Sequence, residues 1–228
     1  MLLKTGFLLS YVKYGDNDAV IHCFTQSEGY ESFFVKGIYT LRNKKKAYLS
    51  PLNEIQLQVH PQKGGNLATV SKINLVSHLQ EPDIKISSIL FFVADFLNQM
   101  LKNERNAEPI YQEIQRFLTQ LKKRNFQSHL VLLLIFIELQ GFFPLINNQP
   151  FINPISGEST HEQAHHFFDA EVSMIWSSIL TNDNQYDIKI NNRLRKKVMD
   201  SILLYFTIHF PDFKRPKSLE ILQQIFEN

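Results

Sequence analysis

The feature that most constrains this 228-residue chain is a change of hydrophobic period near Glu81-Pro82. Before it, from Thr5 to about Leu79, apolar and polar residues alternate in short runs separated by turn residues, a pattern typical of β-strands. After it, apolar residues recur at the spacing of a helix face. Such a chain is predicted to be a two-domain α+β protein, with strands and helices segregated along the sequence.

Five candidate strands occupy the first part of the chain. The clearest places Ile55, Leu57 and Val59 on one face, with polar residues between them. Five short strands within about 75 residues favour a small closed barrel, because closure removes the exposed edges that a flat sheet would leave. A five-stranded OB-type β-barrel is predicted over residues 1–80, and the pattern alone leaves an SH3-like barrel open as well.

The remaining residues, 81–228, are predicted to form an all-α helical bundle domain. Ile84 to Asn103 is apolar almost all round, as in a helix buried within a bundle. The segment near 142–168 has little periodicity and is predicted to be irregular. Further helices are predicted from Pro109 to Arg124, from Phe126 to Gln140, around 172–179 and 194–205, and after Ser218.

Composition limits the cellular compartment and the kinds of metal or disulfide chemistry that the chain can support. The net charge is +2, yet residues 1–80 carry nine Lys and Arg against five Asp and Glu, so the basic excess lies in the predicted barrel. Cys23 is the only cysteine, which excludes an internal disulfide framework and a Cys-rich zinc cluster, and it is predicted to be buried filler. We recognise neither a signal peptide nor a membrane-spanning run, so a cytoplasmic protein is expected.

The basic excess is concentrated in VKGIYTLRNKKKAYLSP, residues 35–51, which hold five cations and no acid. Cations beside a barrel face neutralise phosphates, and aromatic rings among them offer stacking surfaces that accept any base. A solvated loop is the alternative interpretation. The predicted nucleic-acid-binding residues are Lys13, Lys36, Tyr39, Arg42, Lys44, Lys45, Lys46 and Tyr48, and Lys63 and Lys72 would extend the field.

An H-E-x-x-H pattern, typical of zinc peptidases, occurs at residues 161–165. On a helix, His161 and His165 would share a face and bind one zinc, with Glu162 activating a bound water. No suitable third ligand follows, so an ordinary polar helix start is the preferred interpretation. A nucleotide-binding loop and a nucleophile elbow are not found either. We therefore expect a protein that is not an enzyme and has no cofactor, with a zinc-dependent hydrolase as an alternative.

Two sets of motifs bracket nearly the whole chain. At the C-terminal end, YFTIHFPDFKRPKSLEIL combines a helix bearing a late His with a Lys-Ser-Leu turn. The N-terminal set comprises Gly6, Tyr14-Gly15-Asp16, Phe24-Thr25, Glu28-Gly29, Val35-Lys36-Gly37 and Pro51. In order and approximate spacing, these motifs resemble those of the bacterial RecO family of DNA repair and recombination mediators.

The resemblance implies an OB domain followed by a helical domain in a protein that binds single- and double-stranded DNA. It implies annealing of complementary strands without ATP, and help for RecA in loading onto DNA coated by single-strand-binding protein. RecR and the acidic tail of single-strand-binding protein are the implied partners, in a cytoplasm where the protein associates with the nucleoid. Some members hold zinc through paired cysteines near residues 150–168; this chain has none there, so no structural zinc is expected.

The tail of single-strand-binding protein carries acids and a terminal aromatic residue, so its site requires a cationic rim around an apolar pocket. Two basic clusters of the helical part are candidates, although solvated charge near helix ends is the alternative for each. An OB adaptor that binds protein and has no DNA affinity also stays open. The predicted partner-binding residues are Arg193, Arg195, Lys196, Lys197, Lys214, Arg215 and Lys217.

Overall fold

The computed structural model describes residues 1–40, 44–61, 67–79, 83–104 and 107–227. The chain divides into two compact units, one formed by Met1–Gln112 with Pro216–Asn228 and the other by Glu113–Arg215. The predicted fold class, a five-stranded barrel followed by helices, is confirmed. The units divide the chain at other points than the change of period, and the domain limits 1–80 and 81–228 stay a prediction.

A closed barrel forms the N-terminal part of the first unit. Its strands follow one another in the order β1, β2, β3, β5, β4, and β4 pairs back onto β1. All neighbours run antiparallel except β3 and β5, which run parallel. This is the predicted OB-type arrangement. The strands are β1 (Leu2–Tyr14), β2 (Asp18–Thr25), β3 (Gly29–Val35), β4 (Glu54–His60) and β5 (Ala68–Ser77).

The barrel interior is filled by alternate residues of its strands. Ile55, Leu57 and Val59 of β4 are at most 1% exposed, so the predicted inward face of this strand is correct. Cys23 belongs to the same core and is completely buried. Burial raises the pKa of its thiol, which therefore stays protonated and packs as a small apolar group.

Gly29 begins β3 with a left-handed backbone, at φ 74°. A Cβ atom at this position would lie 2.5 Å from the carbonyl oxygen of Glu104. That oxygen belongs to the main chain, so it moves less easily than the tip of a side chain. Glycine therefore satisfies both the backbone angle and the limited space, and the Glu28-Gly29 motif has a structural reason.

The described residues beyond the barrel include six α-helices. Asp83 caps the first of them by accepting hydrogen bonds from the amides of Lys85 (2.8 Å) and Ile86 (3.2 Å). The third is buried from Ser128 to Ile137, in agreement with its apolar sequence. The helices are α1 (Ile84–Met100), α2 (Ala107–Lys122), α3 (Ser128–Leu139), α4 (Ala170–Leu180), α5 (Asn192–His209) and α6 (Ser218–Glu227). Among them, none has both the length and the apolarity to cross a membrane.

Helices of the first unit cover one side of the barrel. Phe7 of β1 packs on Tyr111 of α2 with ring centroids 4.7 Å apart, and the Tyr111 hydroxyl donates to Glu54 Oε1 over 2.7 Å. On α1, Asn98 Oδ1 accepts a hydrogen bond of 2.9 Å from the Ser10 hydroxyl. The C-terminal helix α6 packs against α1 and belongs to this unit too. Part of this side of the barrel is therefore occupied by helices of its own unit.

The segment near 142–168, predicted as irregular, contains a small two-stranded sheet. Its strands β6 (Phe151–Asn153) and β7 (Glu158–Thr160) pair antiparallel. Ile152 is 1% exposed, and its amide donates a hydrogen bond of 3.0 Å to Ser173 Oγ of α4. The sheet is therefore anchored to the helices of the second unit.

Candidate nucleic-acid interface

The first hairpin extends beyond the closed part of the barrel. β1 pairs with β4 only as far as Phe7, whereas its pairing with β2 continues to the hairpin turn. In this extension Tyr11 lies opposite Ile21, and Lys13 lies opposite Ala19. Ile21 and Ala19 belong to the barrel core. Because residues directly opposite each other share a face of a sheet, Tyr11 and Lys13 lie on the core side of the extension.

Tyr39 lies next to this face of the hairpin. Its amide donates to the carbonyl of Asn17 over 2.9 Å, which joins the segment after β3 to the hairpin turn. Its ring packs partly against the barrel core. Two ammonium groups lie over that ring, Lys13 Nζ at 5.9 Å and Lys46 Nζ at 5.4 Å from the centroid. Three of the predicted nucleic-acid-binding residues are thus in contact.

The charges at this cluster are available to a ligand. Lys13 and Lys46 are exposed, and in the part of the chain that the structure describes neither forms an ion pair with a carboxylate. Desolvation, with Tyr11 as a further cause, raises the pKa of Tyr39, so its hydroxyl stays neutral near pH 7. The cluster therefore presents two positive charges beside one aromatic ring.

The structure also describes most of the other residues predicted for this site. Lys36 is exposed directly after β3. Lys44–Tyr48 form a short 3₁₀ helix, in which Lys45 is half-buried and Tyr48 packs partly against the barrel core. Tyr11 joins the cluster although it was not among the predicted residues. The sequence did contain a signal for it, because residues two apart in a strand lie on the same face, and Tyr11 is two residues before Lys13. Outside the described residues lie Arg42 and Lys63.

The basic cluster at the start of α5 is partly engaged within the second unit. Arg193 pairs with Glu171, with Nη1 3.1 Å from Oε2, and Lys197 Nζ lies 3.0 Å from Asp169 Oδ2. Asp169 also caps α4. Burial opposes its ionisation, but hydrogen bonds from the Val172 amide and Lys197 hold the pKa of Asp169 below its ordinary value of 3.8. These two cations therefore join α5 to α4.

Arg195 differs from its neighbours because it lines a pocket of about 430 Å³. Its guanidinium is half-buried, its Nε donates to the carbonyl of Ile190 over 3.3 Å, and desolvation lowers its pKa. No carboxylate of the described residues forms an ion pair with it. Lys189 supplies a second cation. The sequence did not indicate this role, because Lys189 is a single lysine in a polar loop. The pocket is lined by Gln120, Asn125, Gln127, Tyr186, Asp187, Lys189, Ile190 and Arg195.

The other predicted partner-binding residues lie at the surface. Arg215 Nη2 is 3.3 Å from Asp200 Oδ1, an ion pair within the second unit. Lys196, Lys214 and Lys217 are exposed. Of the seven predicted residues, Arg195 is the one that lines the pocket described above.

The H-E-x-x-H pattern lies in a loop. Residues 161–165 precede α4, which begins at Ala170. His165 stacks on its neighbour His166 with ring centroids 4.4 Å apart, and His161 is exposed. The predicted helix start is therefore wrong, and so is the argument for zinc that depended on a shared helix face. Among the described residues, no three His, Cys, Asp or Glu side chains are grouped so that they could hold a metal ion.

Known proteins are similar to this chain over nearly its whole length. The family model described as Recombination protein O N terminal matches residues 1–79, which include the entire barrel. A DNA repair protein RecO of Flavobacterium psychrophilum is 27% identical over 237 residues, and one of Azobacteroides pseudotrichonymphae is 27% identical over 245 residues. A third, from Bacteroides fragilis, is 24% identical over 246 residues. The alignments cover 99% or more of this chain and 100% of each relative.

Fold and site together define an OB-barrel protein with a helical part, in which two lysines lie over a tyrosine ring beside the first hairpin. The chain is similar to the RecO family, in its barrel by the family model and over its whole length by these relatives. The resemblance inferred from its end motifs is therefore confirmed.

Proposed function

We propose that this protein is a mediator of DNA repair and recombination that binds single- and double-stranded DNA through its barrel. One observation carries the proposal: the Tyr39 ring lies beneath Lys13 and Lys46, two exposed lysines with no ion pair in the described residues. The name shared by its relatives, DNA repair protein RecO, supports the same role.

The cluster has the chemistry for sequence-tolerant binding of nucleic acid. Lysine ammonium groups displace condensed counterions from phosphates, and this release favours binding at low salt. An aromatic face stacks on any base, because every base has a π surface. Lys36 and the Lys44–Tyr48 turn would extend the same surface, with Arg42 as a further predicted contact.

Annealing follows from the same physical terms. Two strands approach each other against the repulsion of their phosphates, and cations that contact both strands reduce that repulsion. Complementary bases then pair without any need for ATP. In the complete process we infer that the protein acts with RecR to load RecA in the nucleoid, and that it is not an enzyme.

We propose that the pocket lined by Arg195 binds the tail of single-strand-binding protein. A half-buried guanidinium without an ion pair favours a carboxylate more than a solvated lysine does, because part of its desolvation has already occurred in the folded protein. Lys189 adds a positive charge and Asp187 a negative one, and the largely buried side chains of Ile190 and Tyr186 also line the pocket. Arg193 and Lys197 are secondary in this proposal, since they already pair with acids.

The experiment is a titration of a labelled 20-nucleotide single strand at several salt concentrations. It compares wild type, the double variant Lys13→Gln/Lys46→Gln and the control Lys122→Gln/Lys123→Gln, which removes the same charge from two exposed lysines of the second unit. Each phosphate contact contributes about 0.7 to the slope of log affinity against log salt. The site variant is expected to bind several-fold more weakly, with a slope shallower by up to about 1.4, and the control to resemble wild type.

Equal binding and equal slopes in the site variant and the control would contradict the assignment of these lysines. Weak binding by wild type that does not respond to salt would remove the DNA-binding function itself. In that case the OB adaptor that binds protein would become the better description of the barrel.

A further inference from the structure

A groove of about 430 Å³ lies between the barrel and α1, within the first unit. Such a volume is typical of sites for small molecules, which are roughly 300 to 1,000 Å³. One wall comes from the 3₁₀ helix and the residues that follow it, the other from α1, and the floor from the end of β5. Its main lining residues are Tyr48, Pro51, Leu75, His78, Leu90 and Phe91.

Phe91 makes this groove unusual. It is 58% exposed, although most large apolar residues of α1 are buried, Phe92 and Phe96 among them. An exposed phenylalanine beside a concave apolar surface is typical of a binding site, because water leaves both surfaces when a ligand enters.

The chemistry of the lining selects an uncharged, planar ligand. Tyr48, His78 and Phe91 provide three rings, whereas the described lining contains no Asp, Glu, Lys or Arg. A phosphate would find no counter-charge inside, but a nucleobase would find stacking surfaces. Asn53 holds one wall in place, since its side-chain amide donates to the carbonyl of Tyr48 over 3.1 Å.

The groove is continuous with the positively charged surface. Ala47 and Tyr48 line it, and they directly follow Lys46 in the same 3₁₀ helix. A strand whose phosphates contact Lys46 therefore has its bases within reach of the groove. Leu52, between the lining residues Pro51 and Asn53, has a left-handed backbone at φ 57°, which is unfavourable for leucine. A hydrogen bond of 2.8 Å from its amide to the carbonyl of Leu8 holds it in this conformation.

We propose that the groove holds one or two unstacked bases of a single strand whose phosphates contact Lys46. This inference rests on the proposed function and adds that the protein distinguishes single strands from duplexes. A base inside the groove is not available for pairing, and a base within a duplex cannot enter without leaving its stack. The groove therefore adds affinity for single strands alone.

The test compares Phe91→Ala with Ile84→Ala, a truncation of a 68% exposed residue on the same helix that does not line the groove. The probes are labelled oligothymidylate of 20 nucleotides and a 20-base-pair duplex. Phe91→Ala is expected to weaken single-strand binding about 5- to 150-fold, the range for one lost stacking contact. The salt slope and the duplex affinity should not change, because no phosphate contact is removed. Ile84→Ala should behave as wild type.

A second measurement locates the bases directly. Oligothymidylate containing 5-iodouracil is irradiated on the wild-type protein, and cross-links at Tyr48, His78 or Phe91 are expected. An unchanged single-strand affinity of Phe91→Ala, or cross-links confined to Tyr39, would overturn the groove assignment but leave the proposed function intact. Equal losses for single strand and duplex would also overturn it, because they would indicate a general effect on the barrel. If wild type bound neither probe, the proposed function would fail together with the inference.

Discussion

Replacing Gly29 with alanine is expected to destabilise the protein through two separable effects. The backbone at this position is left-handed, with φ 74°. This conformation costs a residue with a Cβ atom about 1 to 2 kcal/mol. The added methyl group would also lie 2.5 Å from the carbonyl oxygen of Glu104, so the main chain must shift on one side or the other. Such overpacking costs about 1 to 3 kcal/mol more.

Gly15 offers a matched control for this substitution. It is also left-handed, with φ 57°, but nothing lies within 4 Å of the position its Cβ would occupy. Gly15→Ala therefore includes only the backbone cost of about 1 to 2 kcal/mol. The difference between the two variants isolates the steric cost at Glu104.

Thermal unfolding monitored by far-ultraviolet circular dichroism measures this difference. For a chain of this size, 1 kcal/mol corresponds to a change in Tm of about 2 to 4 °C. Gly29→Ala should therefore melt about 2 to 12 °C below Gly15→Ala. Fluorescence of the single tryptophan, Trp176, reports on the second unit and shows whether the loss spreads to it. Equal Tm values for the two variants would refute the argument that the Glu104 carbonyl limits the space at Gly29.

Two further predictions concern the start of α5. Arg195→Gln should weaken binding of a labelled acidic peptide with a C-terminal phenylalanine at least about tenfold, because it removes a charge-assisted hydrogen bond, whereas Arg193→Gln should have little effect. Equal affinities of the two variants in fluorescence anisotropy would exclude the Arg195 pocket as the tail site. Asp169→Asn keeps a helix cap but removes the ion pair with Lys197, so it should cost up to about 1 kcal/mol near pH 7. Because the folded-state pKa of Asp169 is lowered, its contribution exists above pH 3.8 and disappears as the pH falls through the folded value. Urea unfolding of wild type and Asp169→Asn, near pH 7 and at a pH below the folded-state pKa of Asp169, checks this. A difference in stability between the two proteins that persists at the lower pH would contradict it.

The barrel was predictable because its signal is repeated. Alternation in β4 predicts the buried face of Ile55, Leu57 and Val59, and similar runs recur in the neighbouring strands. The longer helices are predictable for the same reason, since a stripe or an all-round apolar run extends over several turns. By contrast, β6 and β7 have three residues each, too few for a period to be recognised.

The helix predicted from the H-E-x-x-H pattern shows a different limit. The polar run around His161 and His165 has the composition of a helix start, but the side chain that caps α4 is Asp169. Several polar residues precede the helix here. The sequence alone does not show which of them has the side chain that accepts a hydrogen bond from a backbone amide and so caps the helix.

Part of the candidate site was predictable in composition but not in geometry. The run around Lys46 shows that cations and tyrosines are available, and the alternation of β1 places Lys13 on one side of a strand. That both lysines share the ring of Tyr39 depends on the pairing of the hairpin and on the hydrogen bond from Tyr39 to Asn17. The groove depends on the packing of α1 against the barrel, which no short stretch of sequence records. The DNA-binding and tail-binding assignments stay predictions until the titrations above are made.

The first compact unit is assembled from both ends of the chain, because α6 packs on α1 while residues 113–215 form the other unit. On the ribosome, its N-terminal portion is therefore complete long before the helix that finishes it has been made. At about 5 to 20 residues per second, the interval is roughly 6 to 23 seconds. During that time the face of α1 that will receive α6 is open to water and to other proteins. Early termination before Ser218 would thus leave α1 uncovered in the unit that contains the barrel, although the missing residues lie at the other end of the chain.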